Sequence, residues 1–303
     1  MSVTDWIAVD WGMTHLSAWL IGADGSILDR RSSDQGVDRV PRDGFEAALL
    51  DLVGDALPLD GRVMIVICGA AGSRDGWAEA PYRAVPSAPP GMAQAMRALT
   101  LDPRLDVRIL PGLKQDKPVD LMRGEETQIA GVFAAQPNFD GVICLPGTHT
   151  KWAQVSAREV VSFRTYLTGE LIDLLAEHSV LRHAVGGDGW DEAAFLDAVS
   201  EGMSRPAPMG ANLFSLRAEA LLSGLDPATA RARLCGLLIG MELAGARAYW
   251  LGQQVLIVGE GTLAQAYRAA LAAQGAPARI IDAEAATLGG LVAARAGMTG
   301  GAS

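Results

Sequence analysis

Short apolar runs separated by small polar turns fill the first thirty residues. Trp6-Ile-Ala-Val runs into Asp10, a turn holding Gly12 and Thr14 follows, and Leu16-Ser-Ala-Trp-Leu20 resumes the apolar pattern. Runs of this length bounded by glycine and polar residues predict strands. With Ile27-Leu28 they give three strands joined by tight turns over residues 6–31. The same order recurs later: Gly141-Val-Ile-Cys-Leu145, a turn with Gly147, Thr148 and His149, a run from Lys151 to Val155, then Ser156-Ala-Arg158 before Val160 to Phe163. Two related halves predict two related lobes.

Between the copies, the spacing of Phe45, Ala48, Leu49, Leu52 and Val53 predicts a helix over 44–57. Residues 63–67 read as a buried strand ending in a small-residue turn that presents Ser73. A Pro-rich loop over 81–90, a helix over 91–100 and a strand over 107–110 follow. The next helix starts near Glu125 and Glu126. After the second copy come a helix over 169–181, a Gly-rich turn at Gly186 to Gly189, and mostly helical sequence to Trp250. The chain then reads as strand 254–258, a turn with Gly259, Gly261 and Thr262, helix 263–274, strand 278–281 and helix 285–296. The expected domains are 1–135 and 136–303, packed lobes with a hinge between them, since no low-complexity linker separates them.

Composition narrows the chemistry. A 303-residue chain with 50% hydrophobic and 20% charged residues is long enough for two well-formed cores. Its net charge of −10 argues against nucleic-acid binding, so any anion site must gather cations from specific residues. Cys68, Cys144 and Cys235 form neither a metal spacing nor a disulfide framework, and read as buried thiols of a reducing cytoplasm. The N-terminal apolar run lacks a basic lead and is broken by Asp10, unlike a signal peptide. The stretch 234–251 is interrupted by Glu242 and Arg247, and predicts a buried helix rather than a membrane span.

Glycine turns let a backbone approach an anion and offer it N–H groups. Asp10-x-Gly12-x-Thr14 alone is also what a tight hairpin with an edge Asp looks like. Its recurrence at Gly147-Thr148, followed by the turn at Gly259 to Thr262, gives it weight. That third turn mimics a dinucleotide fingerprint, but a single helix follows Asp282 where a dinucleotide domain needs further strands. Glu125 and Glu126 suit a helix N-terminus electrostatically, and equally suit a base that accepts a hydroxyl proton. Lys151 is read either as a phosphate contact or as a solvent-facing strand lysine, and Arg164 either as an anion clamp or as a surface ion pair. His15 and His149 hold matching places with no ligand spacing around them, so zinc is not expected.

Longer segments are distinctive: Ala8-Val-Asp-Trp-Gly12, Met122-Arg-Gly-Glu-Glu-Thr-Gln128, Pro146-Gly-Thr-His149 with Lys151-Trp152, Phe163-Arg-Thr165 with Thr168-Gly-Glu-Leu171, and Gly236-Leu-Leu-Ile-Gly240. Together they resemble the 2-dehydro-3-deoxygalactonokinase family. The chain departs from the family's habit at His15 and Ser17, where Asn and Arg are usual, and in its glycine-rich third turn. The resemblance implies an α/β, two-lobed actin-like ATPase (ribonuclease H-like) fold, with duplicated mixed sheets and a nucleotide cleft between them. It implies ATP-dependent phosphorylation of the 6-hydroxyl of 2-dehydro-3-deoxy-D-galactonate, with ATP and Mg2+ as cofactors. Asp10 would hold magnesium through water, and Glu125 or Glu126 would act as base. Gly12, Thr14, Gly147, Thr148, His149 and Lys151 would meet the phosphates, and Gly259, Gly261 and Thr262 the adenosine. Ser73, Trp77, Tyr82, Arg123, Arg164 and Thr168 would hold the sugar acid. A phosphohydrolase or an actin-like nucleotide switch of the same fold is the alternative. The expected partners are small molecules, with no nucleic acid and no membrane, and the assembly is left open between monomer and homodimer.

Overall fold

The computed structural model describes residues 4–187 and 189–297. The chain opens with β1 (Thr4–Trp11), β2 (Leu16–Gly22), β3 (Ile27–Ser33), α1 (Phe45–Val53) and β4 (Val63–Gly69). Next come β5 (Arg83–Ala84), β6 (Met96–Arg97), β7 (Leu105–Ile109), β8 (Leu113–Asp116), β9 (Val119–Met122) and α2 (Glu125–Ala135). The second half holds β10 (Gly141–Leu145), β11 (Thr150–Ser156), β12 (Glu159–Tyr166), α3 (Thr168–His178), α4 (Glu192–Ser204), α5 (Met209–Leu222) and α6 (Pro227–Gly245). It ends with α7 (Arg247–Trp250), β13 (Val255–Val258), α8 (Gly261–Ala273), β14 (Arg279–Ile281) and α9 (Ala283–Ala296).

The first sheet runs β3-β2-β1-β4-β7-β6 and the second β12-β11-β10-β13-β14. In each, an antiparallel hairpin is continued by a parallel strand on its first member, β4 on β1 and β13 on β10, and the first sheet ends in the antiparallel edge strand β6. The duplication read from the turns is therefore a duplication of topology. A small third sheet, β5-β8-β9, stands beside the first. The chain forms two compact units: 1–139 with 156–162 and 283–303, and 140–155 with 163–282. The path thus crosses between units several times, where one crossing at 135/136 was expected; the last helix, α9, belongs with the first unit and packs on α2.

One predicted element differs. Residues 91–100 form a short 3-10 turn over Met92–Gln94 and the strand β6, not a helix. Met96 pairs with Ile109 and Arg97 with Arg108 of β7, while Leu99 stays 92% exposed. The helical spacing had no core to bury its apolar positions in, and strand pairing prevailed. Among the described residues no helix is long and apolar enough to cross a membrane.

Helices in both units pack backbone to backbone. In the second unit a Cβ on Gly236 would lie 2.4 Å from the Phe195 carbonyl oxygen, and one on Gly240 2.3 Å from that of Val199, so α4 and α6 touch where side chains are missing. In the first unit Gly131 and Gly290 play this part between α2 and α9, each with 1.9 Å to a backbone oxygen. We expect Gly240→Ala to cost about 1–3 kcal/mol through overpacking. Gly210→Ala, in the first turn of α5 with nothing within 4 Å of its new methyl, should instead stabilise by about 0.4–1 kcal/mol. Urea unfolding of both variants checks the contrast, and equal effects would refute the close-packing account.

Candidate active site

In the first unit, β1 ends at Asp10 and Trp11, and β4 runs parallel to it, pairing Asp10 with Cys68 and Trp11 with Gly69. Gly69 has φ +91, and a Cβ there would meet the Trp11 carbonyl at 2.7 Å and Asp10 Oδ1 at 3.2 Å, so this crossing requires glycine. Opposite it stands Gly124, φ +110, immediately before α2. These strand ends and the helix start enclose a cavity of about 190 Å3 lined by Asp10, Gly12, Met13, Gly69, Ala70, Arg123, Gly124, Glu125, Gln128 and Thr287. The structure thus brings together the predicted Asp10, Gly12, Arg123 and Glu125.

The two glutamates differ sharply. Glu125 Oε2 accepts the Arg123 backbone N–H at 2.9 Å, and the residue lines the cavity. Glu126 is 1% exposed, turned into the protein, and both its oxygens accept the Gly124 N–H at 2.9 Å. Burial first, and the neighbouring Glu125 charge second, push its pKa up to about 8. Asp10 Oδ2 lies 3.8 Å from His15 Nε2. The hydrogen bond to Asp10 raises the His15 pKa against the opposing effect of burial.

Arg123 is fixed in place. Its Nε donates to Tyr82 Oη at 3.2 Å, Nη2 donates to the Ala80 carbonyl at 2.7 Å, and the guanidinium lies 4.1 Å over the Tyr82 ring. Nη1 is buried without a hydrogen-bond partner. Trp77, expected to hold substrate, stacks on Phe45 and meets Trp11 edge-on, so its ring belongs to the core under β1. Ser73 sits where the turn after β4 ends, outside the cavity lining, and Thr14 is exposed in the first turn and also outside it.

The second unit has a larger cavity, about 390 Å3, with Gly147, Thr148, Gly169, Asp173 and Thr262 at its polar side. Ile172, Cys235, Ile239, Leu263 and Ala266 from α3, α6 and α8 form an apolar floor, joined by Trp190 and Arg231. The start of α3 is pressed onto the turn. A Cβ on Gly169 would lie 2.2 Å from the Gly147 carbonyl oxygen, and the Glu170 N–H donates to the Thr148 carbonyl at 2.9 Å. His149 is held by Glu170 at 2.7 Å. Gly259 and Gly261 lead into α8 outside the lining.

Three predicted contacts are placed differently. Lys151 is 4% exposed with Nζ donating to the His149 carbonyl at 3.2 Å, so it is no solvent-facing strand lysine. Thr168 is buried and its hydroxyl bonds Glu242, not open space. Arg164 is half-buried on β12 and lines neither cavity. Sequence reasoning missed Trp190, Asp173 and Arg231. The Gly-rich turn just before Trp190 was the available signal, since glycines beside an aromatic residue mark a close approach.

The sequence model of the 2-keto-3-deoxy-galactonokinase family matches residues 10–294, a span holding both cavities. The chain belongs to this family. It is 43% identical over 293 residues to a probable 2-dehydro-3-deoxygalactonokinase of Rhizobium meliloti (strain 1021), covering 95% of each chain. It is 33% identical to the 2-dehydro-3-deoxygalactonokinase of Escherichia coli (strain K12), covering 94% of this chain and 96% of the relative. A crystal structure of a Sinorhizobium meliloti protein, provisionally named for the same activity, superposes with a TM-score of 0.90 at 41% identity, covering 97% of this chain and 99% of the other. The chain is therefore a kinase by family, a phosphotransferase with an alcohol acceptor, and its duplicated sheets are those of the actin-like ATPase and sugar-kinase fold.

The Glu126 environment has a pH signature. Its folded pKa, about 8, lies above the ordinary 4.5, so between these values the unfolded chain binds fewer protons than the folded one. Stability linked to this group is then full below about 4.5 and lost as pH rises through about 8. Glu126→Gln should gain stability relative to the unsubstituted protein as pH rises across that window, measured by urea melts at its two ends. A gap that does not widen would show that Glu126 is not held neutral.

Proposed function

We propose that this protein transfers the γ-phosphoryl group of ATP to the 6-hydroxyl of 2-dehydro-3-deoxy-D-galactonate, a step of galactonate breakdown. The observation that carries this reading is the single cavity in which Glu125, Asp10 and the fixed Arg123 converge. Glu125 is the carboxylate open to a ligand, and it takes the hydroxyl proton as the sugar oxygen attacks γ-phosphorus and the bond to the ADP oxygen breaks. Glu126 serves beneath it as a structural acid. Arg123, pre-set by Tyr82 and Ala80, offers the substrate carboxylate a guanidinium that loses little freedom on binding. Ser73 and Arg164 are the further contacts for the sugar acid.

The second-unit cavity suits the nucleotide. Its apolar floor and the Trp190 ring fit a purine, and Gly147, Thr148 and Thr262 stand at its polar side. Gly12 and Thr14 supply the corresponding turn in the first unit. Among the described residues no three His, Cys, Asp or Glu groups form a metal cage. That fits Mg2+, which is held by one or two carboxylates together with phosphates and water. Asp10 is the residue that would hold it, and the ion would neutralise phosphate charge. We place the enzyme in the cytoplasm, where ATP is supplied, and take a homodimer as the assembly to test by light scattering.

The deciding experiment is ADP release in a coupled assay against a panel of aldonic and 2-keto-3-deoxy acids. Release should depend on the galacto-configured keto-acid. Equal release without any acid would indicate a phosphohydrolase, and reaction of the gluco epimer alone would overturn the specificity. Glu125→Gln should lower kcat by about 10²–10⁴-fold with ATP still bound. Asp10→Asn should abolish turnover with little change in melting temperature, and retained activity in either variant would refute its assigned role.

A further inference from the structure

Thr150 and Trp152, in the segment Pro146 to Trp152, have no part in the proposed reaction. Both are fully buried, and both lead to one carboxylate. Glu242, on α6 and 1% exposed, accepts Trp152 Nε1–H at 2.6 Å on Oε1 and Tyr267 O–H at 2.7 Å on Oε2. The Thr168 hydroxyl, at the first residue of α3, also bonds this carboxylate. Tyr267, on α8, stands 3.0 Å from Thr150 Oγ1, which in turn lies within 3.4 Å of the Gly147 carbonyl. Trp152 can only donate, so Oε1 must accept from it; with the Tyr267 proton given to Oε2, the single Thr150 proton goes to Tyr267 Oη, and Thr150 bears on the turn through its place directly after it in the chain rather than through a hydrogen bond to the Gly147 carbonyl.

These bonds run from one buried group to the elements that frame the Gly147-Thr148 turn. Thr150 starts β11 directly after the turn, and Thr168 precedes Gly169, whose Cα is pressed on Gly147. A buried carboxylate is expensive even when fully bonded, and well-packed apolar residues would serve stability as well or better. Its position among all three elements is therefore what needs explaining. We propose that Glu242 is a positioning residue, holding the Gly147-Thr148 turn through Tyr267 and Thr150, and the start of α3 through Thr168, in the shape that receives nucleotide phosphate. This rests on the reading of that turn as a phosphate contact.

The test is calorimetric titration of the full chain with ATP, and separately with 2-dehydro-3-deoxy-D-galactonate, using Tyr267→Phe, Thr150→Val and their double variant. Tyr267→Phe removes one hydroxyl and breaks the link without emptying the site. It should weaken ATP binding about three- to ten-fold and leave sugar-acid binding unchanged. Thr150→Val cuts the same link from the other end, so the double variant should be no worse than the stronger single one. A lowered melting temperature with ATP affinity intact, equal weakening of both ligands, or additive losses would each overturn the proposal. Thr148→Ala separates this from failure of the underlying reading. If it weakens ATP binding while Tyr267→Phe does not, the turn is a phosphate contact and Glu242 is only structural. If neither variant weakens ATP binding, the phosphate reading fails and the positioning role falls with it.

Discussion

Both candidate sites depend on backbone approaching backbone where a Cβ would not fit. In the first unit Gly69 crosses the end of β1 within 2.7 Å of the Trp11 carbonyl, and Gly124 faces it from the start of α2. In the second, Gly169 brings α3 onto the Gly147 carbonyl at a distance no side chain allows. Each contact sets a helix N-terminus against a strand-end turn. The result is a pair of pockets each bordered by the start of a helix, α2 in the first unit and α3 in the second.

The two copies share their topology and differ in their chemistry. At the strand end, Asp10 in the first corresponds to Leu145 in the second, and Leu145 is 3% exposed. His15 is turned toward Asp10, whereas His149 is turned toward Glu170 on a neighbouring helix. One copy thus presents a carboxylate to its cavity. The other closes that position with an apolar side chain and presents a hydroxyl and main chain. The two frames share their topology, and the residue at the strand end is what sets their chemistry apart.

Much of this was legible in the chain because strands and turns announce themselves locally. The hairpins, the turns at Gly12 and Gly147, and the paired glutamates opening α2 all follow from short-range pattern. What was not legible depends on long-range packing. Trp77 was expected to hold the sugar acid, but its ring packs on Trp11 and Phe45, contacts that come from distant parts of the sequence. Lys151 and Thr168 look available until β11 and α3 are seen to bury them. The 91–100 segment had helical spacing but no core face to spend it on. Arg231 reaches the second cavity from α6, a segment whose spacing says nothing about ligands.

The adjacent glutamates show how the local field is managed. Asp10, Glu125 and Glu126 stand within one small region, and three full negative charges there would repel one another. Burying Glu126 against the Gly124 N–H raises its pKa to about 8, so near neutral pH it keeps its proton. The raised value comes from desolvation first and the Glu125 charge second, so Glu125 itself helps hold its neighbour neutral. Asp10 and Glu125 are left facing the cavity, while the third carboxyl caps the loop before α2 by accepting the Gly124 N–H. Exposing Glu126 would add a third charge beside Asp10 and Glu125, so its burial shapes the field of the cavity as well as the fold.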